Sequence, residues 1–509
     1  MQHSESDPSA SSHAANHGGL RMTLCAAVVA FVVLASATAY TKKPWFDEAH
    51  FAGPALDLVT RGSMGQTVIE PRAFASNPGV DQVRVNTWAY YSVPLSHFAQ
   101  AVWYKMFGFS VFKMRSLYIA WGVLAILAWA YVVRRVTQSD AMAGLAAVFI
   151  ATDHFFLNSA ADGRPDMQSA ALGVLAMAAY LYWREVSLVK ALFVSQLLLV
   201  IAVFTHPIGG IALFGVGLLL LHQGDWRRLT WQALVMAAVP YVVGGALYGY
   251  YISLDMEAFR AQMAGNTTKV GRFQSLTAPW RGVIDEFRIR FAERSYAPLG
   301  TTGARLILLA IPAIYFASVA YSLAGKRFLG IVGAVYFLVF AIFDGTKAQF
   351  YLVHFTPLLA CCAAAALVTM WQQQGLWKWA AAGAGASLLV LHLGWSAYGF
   401  RKDSYHQEYT PTIAYLQQHA RQDQAIYGVS ELAFGLGFYS NFRDDCTLGF
   451  YTGKKADYIV VEDPGYGQAF QGFAARYPEL DHYVKQTLAQ YTEVYSNPVY
   501  QIYKRQGAQ

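Results

Sequence analysis

Two adjacent carboxylates follow the first long apolar stretch of the chain, in the segment 44–50 (PWFDEAH). An acidic pair is costly to bring into hydrocarbon, so a chain that keeps one at a membrane edge has a solvated loop or a functional reason for it. We interpret Asp47 and Glu48 as residues with a chemical role, because a carboxylate can act as a general base. The alternative is that one of them caps a helix that begins here.

A second acidic position lies in the segment 162–167 (DGRPDM), immediately before an apolar helix without charges. This spacing places Asp166 at the mouth of a membrane domain. The neighbouring Arg164 suits a phosphate, because a guanidinium binds oxyanions through two parallel hydrogen bonds. The alternative is an ion pair within the loop together with a helix cap.

A third candidate segment is 344–354 (DGTKAQFYLVH). If it is helical from Lys347, then Lys347, Tyr351 and His354 share one face and can bind a phosphate or a sugar. A tyrosine-rich interface belt with a snorkelling lysine explains the same residues. His206, which precedes a proline at another helix end, we interpret as structural.

Composition assigns the chain to the membrane proteins, since 55% of its 509 residues are hydrophobic and only 14% are charged. No Lys, Arg, Asp or Glu occurs from Ala191 to Gly224, from Thr230 to Leu254, or from Ala348 to Trp377. About 20 apolar residues cross a bilayer. We therefore predict about eleven transmembrane helices, at 21–40, 115–133, 140–158, 167–183, 189–205, 207–222, 230–251, 304–323, 328–343, 350–371 and 379–397.

Basic residues predict the orientation of these helices. They fall in alternate short loops, which the positive-inside rule assigns to the cytoplasm, at Arg134–Arg135, Arg184 with Lys190, Arg227–Arg228, Lys326–Arg327 and Lys378. The N-terminus is then cytoplasmic, and all three candidate segments lie on the outer side of a plasma or inner membrane. The net charge of +7 reflects this topology and the lipid phosphates, and we predict no nucleic-acid partner.

The predicted organisation has three parts. Residues 1–20 are polar and are interpreted as a disordered cytoplasmic tail. Residues 21–398 form the transmembrane domain, whose outer loop 41–114 contains two juxtamembrane amphipathic helices and whose second long outer loop is 252–303. In residues 399–509 strands near 425–429 and 458–461 alternate with helices, which is typical of a small extracytoplasmic α/β domain with an accessory role.

Several short motifs together resemble a known family. They are the Asp-Glu pair, the Pro94-Leu95 start of an amphipathic helix that ends in Phe-Gly, Arg115-Ser116, the Arg-x-Asp-Met at 164–167 and the Lys-x-x-x-Tyr at 347–351. Over about residues 21–370 the chain resembles the C-type (GT-C) membrane glycosyltransferases, in the branch of the protein O-mannosyltransferases and the ArnT-like lipid A aminoarabinose transferases. It departs from the latter enzymes because no lysine precedes Pro94-Leu95.

The resemblance implies transfer of a sugar from a polyprenyl-phosphate donor to a lipid, protein or glycan acceptor on the outer face of the membrane. Asp47 would be the base of an inverting displacement, and Asp166 would orient the acceptor or share a divalent metal cation with Asp47. Binding of the donor phosphate and substrate would fall to Glu48, Arg164, Lys347, Tyr351 and His354.

Two other classes of protein remain open. A transporter or flippase of lipid-linked sugars also has many spans, but it usually holds ionisable residues at mid-membrane, whereas the predicted spans here are nearly free of charge. A noncatalytic membrane scaffold needs no convergent set of acidic and basic groups.

Overall fold

Apolar helices form the chain up to about residue 400, and a small mixed domain follows. The computed structural model describes residues 8–73, 78–267, 274–294, 302–325 and 327–507. The helices of the first part are α1 (Pro8–Thr41), α2 (Phe46–Thr60), α3 (Leu95–Phe107), α4 (Val111–Thr137), α5 (Asp140–Thr152), α6 (His154–Ala160), α7 (Asp166–Trp183), α8 (Leu188–Thr205), α9 (Ala212–His222), α10 (Trp231–Ser253), α11 (Met256–Thr267), α12 (Gln274–Thr277), α13 (Pro279–Asp285), α14 (Thr302–Leu308), α15 (Ala310–Ala324), α16 (Phe328–Phe343), α17 (Thr356–Trp371) and α18 (Leu376–Lys402). Helix α1 begins inside the segment 1–20.

The polytopic helical class is confirmed, whereas the count of eleven spans is not. Among the described residues, the helices long and apolar enough to cross a membrane are Gly18–Thr41, Val111–Thr137, Leu188–Thr205, Trp231–Ser253, Leu306–Ala324 and Leu376–His419. The pair α5 and α6 adds a seventh if its 62° bend belongs to one span. Shorter apolar helices are Pro207–His222, Phe328–Phe343 and Thr356–Trp371, so hydropathy predicted spans where the helices are shorter than a bilayer requires.

The bend between α5 and α6 has a polar cause. Asp153 is fully buried there and accepts a hydrogen bond from the Phe156 N–H at 2.8 Å, which caps α6. It also accepts hydrogen bonds from Tyr315 (3.1 Å) and Thr356 (3.2 Å), and His392 Nε2 lies 3.4 Å away. These contacts from α15, α17 and α18 fix the start of α6, and therefore the loop 161–165 that follows it.

The segment between α1 and α4 contains α2 and α3, which pack against each other. Helix α3 follows Pro94, a favourable residue at a helix start, and ends at Gly108, whose φ of +80° suits glycine. Its Phe98, Val102 and Met106 side chains are exposed. Both helices coincide with the two amphipathic patterns of the sequence.

The C-terminal part is an α/β domain, as predicted. It contains α19 (Thr410–His419), α20 (Ala433–Leu436), α21 (Gly465–Arg476), α22 (Pro478–Leu488), β1 (Ile426–Tyr427), β2 (Phe442–Arg443), β3 (Tyr458–Glu462), β4 (Tyr491–Ser496) and β5 (Tyr500–Arg505). The sheet order is β2-β1-β3-β5-β4, parallel from β2 to β3 and antiparallel from β3 to β4. The sequence did not predict the two-residue β2. Pro478 separates α21 from α22, because proline disrupts a helix interior.

The loop between α2 and α3 also joins the edge of this sheet. The Asp444 N–H, next to β2, donates to the Val68 carbonyl at 2.7 Å, and the Glu70 N–H donates to the Asp444 carbonyl at 3.0 Å. The soluble domain is therefore docked on the same segment, between α1 and α4, that contains Asp47 and Glu48.

Candidate active site

Asp47 and Glu48 point into different environments, because successive residues of a helix are about 100° apart around its axis. The Asp47 side chain is 22% exposed, and its carboxylate binds the guanidinium of Arg164. The Glu48 side chain is fully buried and binds Arg115. The acidic pair is therefore divided between two arginines.

Arg164 joins the two predicted catalytic carboxylates. Its Nε donates to Asp166 Oδ2 at 2.9 Å, and its Nη1 donates to Asp47 Oδ2. The guanidinium carbon lies 3.8 Å from the ring centre of Phe350 and 5.2 Å from that of Trp45, within the range of cation–π contacts. The aromatic rings and the two carboxylates together hold Arg164 in one orientation.

The second oxygen of Asp166 faces two histidines. Asp166 Oδ1 is 3.9 Å from Nε2 of His206, and one ligand atom each of Asp166, His206 and His354 lie within 4.8 Å of one another. Within the described part of the chain, Asp166 Oδ1 and His354 Nε2 are buried without a hydrogen-bond partner. A carboxylate and two imidazoles are a typical donor set for a divalent metal cation.

Sequence reasoning missed the place of His206 in this cluster. The residue accepts a hydrogen bond from the Ile208 N–H at the start of the 3₁₀ helix Pro207–Ile211, so its capping role is real. His206 directly follows the end of α8 and precedes a proline, and this position was the signal that could have suggested proximity to Asp166.

Glu48 and Arg115 form a buried pair with two parallel hydrogen bonds, Nε to Oε1 at 2.8 Å and Nη2 to Oε2 at 2.7 Å. Glu48 also accepts hydrogen bonds from the N–H groups of Gly163 (2.8 Å) and Trp45 (2.9 Å). Burial alone would raise the pKa of Glu48, but the Arg115 guanidinium lowers it below the usual value. Because Gly163 precedes Arg164, the Glu48 carboxylate holds the loop 161–165 against α2.

Arg115 extends this network to the end of the first membrane helix. Its guanidinium donates to the carbonyls of Ala39, Lys42 and Lys43 at 2.7, 2.8 and 3.1 Å. The Lys42 side chain in turn forms an ion pair with Asp162 of the loop 161–165. Four segments of the chain are thus fixed around one ion pair.

Lys347 does not share a helical face with Tyr351 and His354, so that prediction is wrong. Lys347 has a left-handed backbone with φ of +51°, and only Gln349–His354 forms a short 3₁₀ helix. The Lys347 ammonium is buried, donates to the Ala341 carbonyl at 2.7 Å and lies 3.1 Å from Glu286 Oε2. Lys347 thus belongs to a buried ion-pair cluster with Glu286, which also binds Arg290.

Tyr351 and His354 both lie near His206, and His354 also lies near Asp166. The Tyr351 ring centre is 5.4 Å from that of His206, and both Tyr351 and His354 are buried. The structure therefore brings five of the seven sequence-predicted residues together, namely Asp47, Arg164, Asp166, Tyr351 and His354, and gives Glu48 and Lys347 separate partners.

Comparison with known proteins supports the fold. No protein-family model and no curated protein matches the sequence. The structure is similar to ArnT from Cupriavidus metallidurans bound to undecaprenyl phosphate, with a TM-score of 0.54 and 15% identity over 96% of this chain and 98% of that one. It is similar to the apo state of the same protein with a TM-score of 0.53 and 15% identity, over the same shares of both chains. The archaeal oligosaccharyltransferase AglB from Archaeoglobus fulgidus gives a TM-score of 0.45 at 10% identity, over 94% of this chain and 74% of that one. The protein has the same fold as ArnT, in agreement with the fold that the sequence resemblance implied.

Proposed function

We propose that the protein transfers a sugar from a polyprenyl-phosphate donor to an acceptor at the outer face of the membrane, with Asp47 as the general base. The observation that carries this proposal is the cluster in which Arg164 joins Asp47 to Asp166 at the head of α7. The fold supports it, because a similar protein was solved with undecaprenyl phosphate bound.

Asp47 suits the base because it is both held and accessible. Arg164 binds Oδ2, and the side chain stays 22% exposed. In the displacement, the acceptor oxygen attacks the anomeric carbon while its proton passes to Asp47. The bond from that carbon to the phosphate oxygen breaks, and the polyprenyl phosphate leaves with the electron pair. Attack from the opposite side inverts the sugar configuration.

Arg164 suits the donor phosphate. The two carboxylates use Nε and Nη1 of the guanidinium, so Nη2 is the edge that can meet an oxyanion. Asp166 then keeps Arg164 oriented, and the neighbouring Tyr351 and His354 complete the wall of the site. We assign Glu48 the support of this loop and Lys347 an ion pair with Glu286, both outside the direct contact with phosphate.

The donor set also fits a divalent metal cation. The guanidinium of Arg164 lies between Asp47 and Asp166, so we propose that a cation binds Asp166 Oδ1 together with His206 and His354. The unpartnered Asp166 and His354 atoms support this assignment. A bound cation would add positive charge near the phosphate, where two carboxylates face one guanidinium.

The transfer proposal is tested with purified protein in lipid and a panel of radiolabelled polyprenyl-phosphate sugars. We expect turnover with at least one donor, and Asp47→Asn should lower it by about a hundredfold or more, because the base is lost. Asp140→Asn is the matched control, since it makes the same change in the first turn of α5. Full transfer by a folded Asp47→Asn variant would exclude Asp47 as the base.

The metal proposal has its own readout, the metal content of the purified protein by mass spectrometry. We expect about one equivalent of a divalent metal per chain, lost in His354→Gln and retained in His222→Gln. His222 is the control because it stacks on Phe328 at the other end of the bundle. Full transfer activity in metal-free protein would exclude a role for the cation and would leave the transfer proposal unaffected.

A further inference from the structure

The soluble domain touches the helix that contains the proposed base. His50 lies one turn after Asp47 on α2, and its Nε2 is 3.0 Å from Oγ of Ser430, at the start of a short 3₁₀ helix of the soluble domain. Both side chains are buried, and the two residues are 380 positions apart in the sequence. This contact connects the soluble domain to the proposed active site.

Asp444 determines which group donates in that contact. Ser430 donates its hydroxyl to Asp444 Oδ2, and its N–H donates to the same oxygen at 2.9 Å. Tyr466 donates to Asp444 Oδ1 at 2.9 Å. Because a hydroxyl has one proton, Ser430 Oγ must accept its hydrogen bond from the Nε2–H of His50. Asp444 and Ser430 therefore keep a proton on Nε2 of the imidazole.

The other ring nitrogen borders the proposed base. His50 Nδ1 lies 3.8 Å from Asp47 Oδ1, whereas Arg164 binds Asp47 Oδ2. The Phe46 and Tyr91 rings are 5.6 and 6.3 Å from the His50 ring, and Tyr91 donates to the His50 carbonyl at 2.7 Å. The oxygen of Asp47 that Arg164 does not bind therefore faces an imidazole with a fixed orientation.

Neighbouring contacts keep Ser430 and Asp444 in register with α2. Lys43 lies between Glu431 (2.7 Å) and Glu462 (2.8 Å), and Glu431 directly follows Ser430. Asp444 is held through its backbone by Val68 and Glu70 of the loop between α2 and α3. The soluble domain thus presents a rigid surface to His50.

We propose that the soluble domain completes the active site: Ser430 and Asp444 are positioning residues that act through His50 to keep the Nδ1 edge of its imidazole beside Asp47. This role rests on the proposed transfer reaction. An acceptor hydroxyl that reaches Asp47 Oδ1 then meets a surface formed partly by the soluble domain. The domain is a part of the catalytic unit as well as a docked accessory.

The test is a double-mutant cycle on kcat with His50→Gln, Ser430→Ala and the double variant, in lipid with a saturating donor. We expect Ser430→Ala to lower kcat about tenfold with the KM for the donor unchanged, because the imidazole loses the partner that orients it. The double variant should be no slower than His50→Gln, since both changes remove one interaction. Asp444→Asn should reproduce the effect of Ser430→Ala. If the Ser430→Ala variant does not fold, Asp444→Asn takes its place in the cycle.

The control variant is Tyr439→Phe, which removes a different contact of the soluble domain with α2, between Tyr439 and Thr60. It should keep the wild-type kcat. Unchanged kcat in folded Ser430→Ala, a change in KM alone, or additive effects in the double variant would overturn the proposal. Each outcome is separate from a failure of the transfer reaction, which Asp47→Asn reports.

Discussion

Asp47 and Glu48 are neighbours on α2, and each binds an arginine, yet their surroundings differ. Glu48 and Arg115 are both 0% exposed and pair one to one, and both Glu48 oxygens accept hydrogen bonds. In the second cluster, two carboxylates share Arg164, Asp47 is 22% exposed, and a buried oxygen of Asp166 has no hydrogen-bond partner in the described chain. One cluster is complete and the other has an excess of negative charge.

In the proposed reaction, this difference separates the supporting residues from the reacting ones. Buried polar groups are normally paired, so an unpaired group in a native structure calls for an explanation such as a ligand or a catalytic role. The Glu48 pair satisfies the rule and fixes the loops around it. The Asp166 cluster breaks the rule at the mouth of the membrane domain, where a charged substrate can satisfy it.

A third cluster shows that an excess of carboxylates over cations does not by itself identify a reactive site. Glu431 and Glu462 share Lys43 in the interface with the soluble domain, and Tyr500 donates to Glu431. Burial raises the pKa of Glu431 to about 7, Glu462 adds to the rise, and Lys43 opposes it. This cluster relieves its excess charge by holding a proton more tightly, and both of its carboxylates are buried.

The largest effect should come from breaking the complete pair. Arg115→Met leaves the Glu48 carboxylate buried without its cation, and we expect a loss of about 3–5 kcal/mol in the free energy of unfolding. Thermal unfolding of the purified protein measures it. Arg134→Met is the control, because its partner Asp140 is partly exposed and such pairs contribute less than about 1 kcal/mol. Equal stability of the two variants would contradict the comparison.

The interface cluster should produce a pH-dependent effect of intermediate size. The pKa of Glu431 rises from 4.5 to about 7 on folding, so its contribution to stability is complete below pH 4.5 and is lost as the pH rises through 7. Glu431→Gln should remove that loss, on the order of 3 kcal/mol, since one pKa unit corresponds to about 1.4 kcal/mol. The measurement is the unfolding temperature from pH 5 to 8 (about the range of native stability).

The control for this titration is Glu479→Gln, which changes an exposed glutamate of the same domain. Its unfolding temperature should run parallel to that of the wild type across the pH range. A Glu431→Gln curve that also runs parallel to the wild type would show that Glu431 does not hold an extra proton in the folded protein.

In the cluster of Arg164 with Asp47 and Asp166, Arg164→Lys should reduce kcat/KM for the donor by about 10–100-fold. An ammonium lacks the planar geometry with which a guanidinium can bridge two carboxylates and a phosphate. The measurement is steady-state transfer in lipid. Stability should change less than in Arg115→Met, since Asp47 can reach solvent. A variant with unchanged transfer but lowered stability would make this cluster structural, like that of Glu48.

The smallest effect is expected for an exposed pair. Lys485 is 69% exposed and binds Asp481 one turn earlier on α22, at 2.7 Å. Lys485→Ala should cost only about 0.3–0.5 kcal/mol of unfolding free energy. Chemical denaturation measures this baseline, and a loss as large as that of Arg115→Met would mean that burial does not govern the differences among these pairs.

Local pattern predicted which residues could lie close together when they are close in sequence. Arg164 and Asp166 are two positions apart and form the ion pair that was the alternative interpretation of this loop. The charge-free helix behind them and the acidic pair after α1 were also evident from composition. The sequence could not show that Glu48 turns inward to Arg115, because either neighbour was equally able to face the substrate.

Lys347 shows where pattern failed. Its spacing to Tyr351 and His354 is helical, but Glu286, from a different loop, draws the ammonium away and the backbone turns left-handed. The contacts of His206 with Asp166 and of His50 with Ser430 also join distant segments. Periodicity describes one element at a time, so it contains no information on which elements meet.

The sequence by itself determined the membrane class, the small α/β domain and the acidic and basic residues available at the loops and helix ends, because hydropathy and charge are properties of local composition. Only the tertiary structure decided which carboxylate meets which cation, which histidines face Asp166, and that the soluble domain reaches α2. Those outcomes depend on the packing of segments far apart in the chain, where burial and the need to pair each charge select one arrangement.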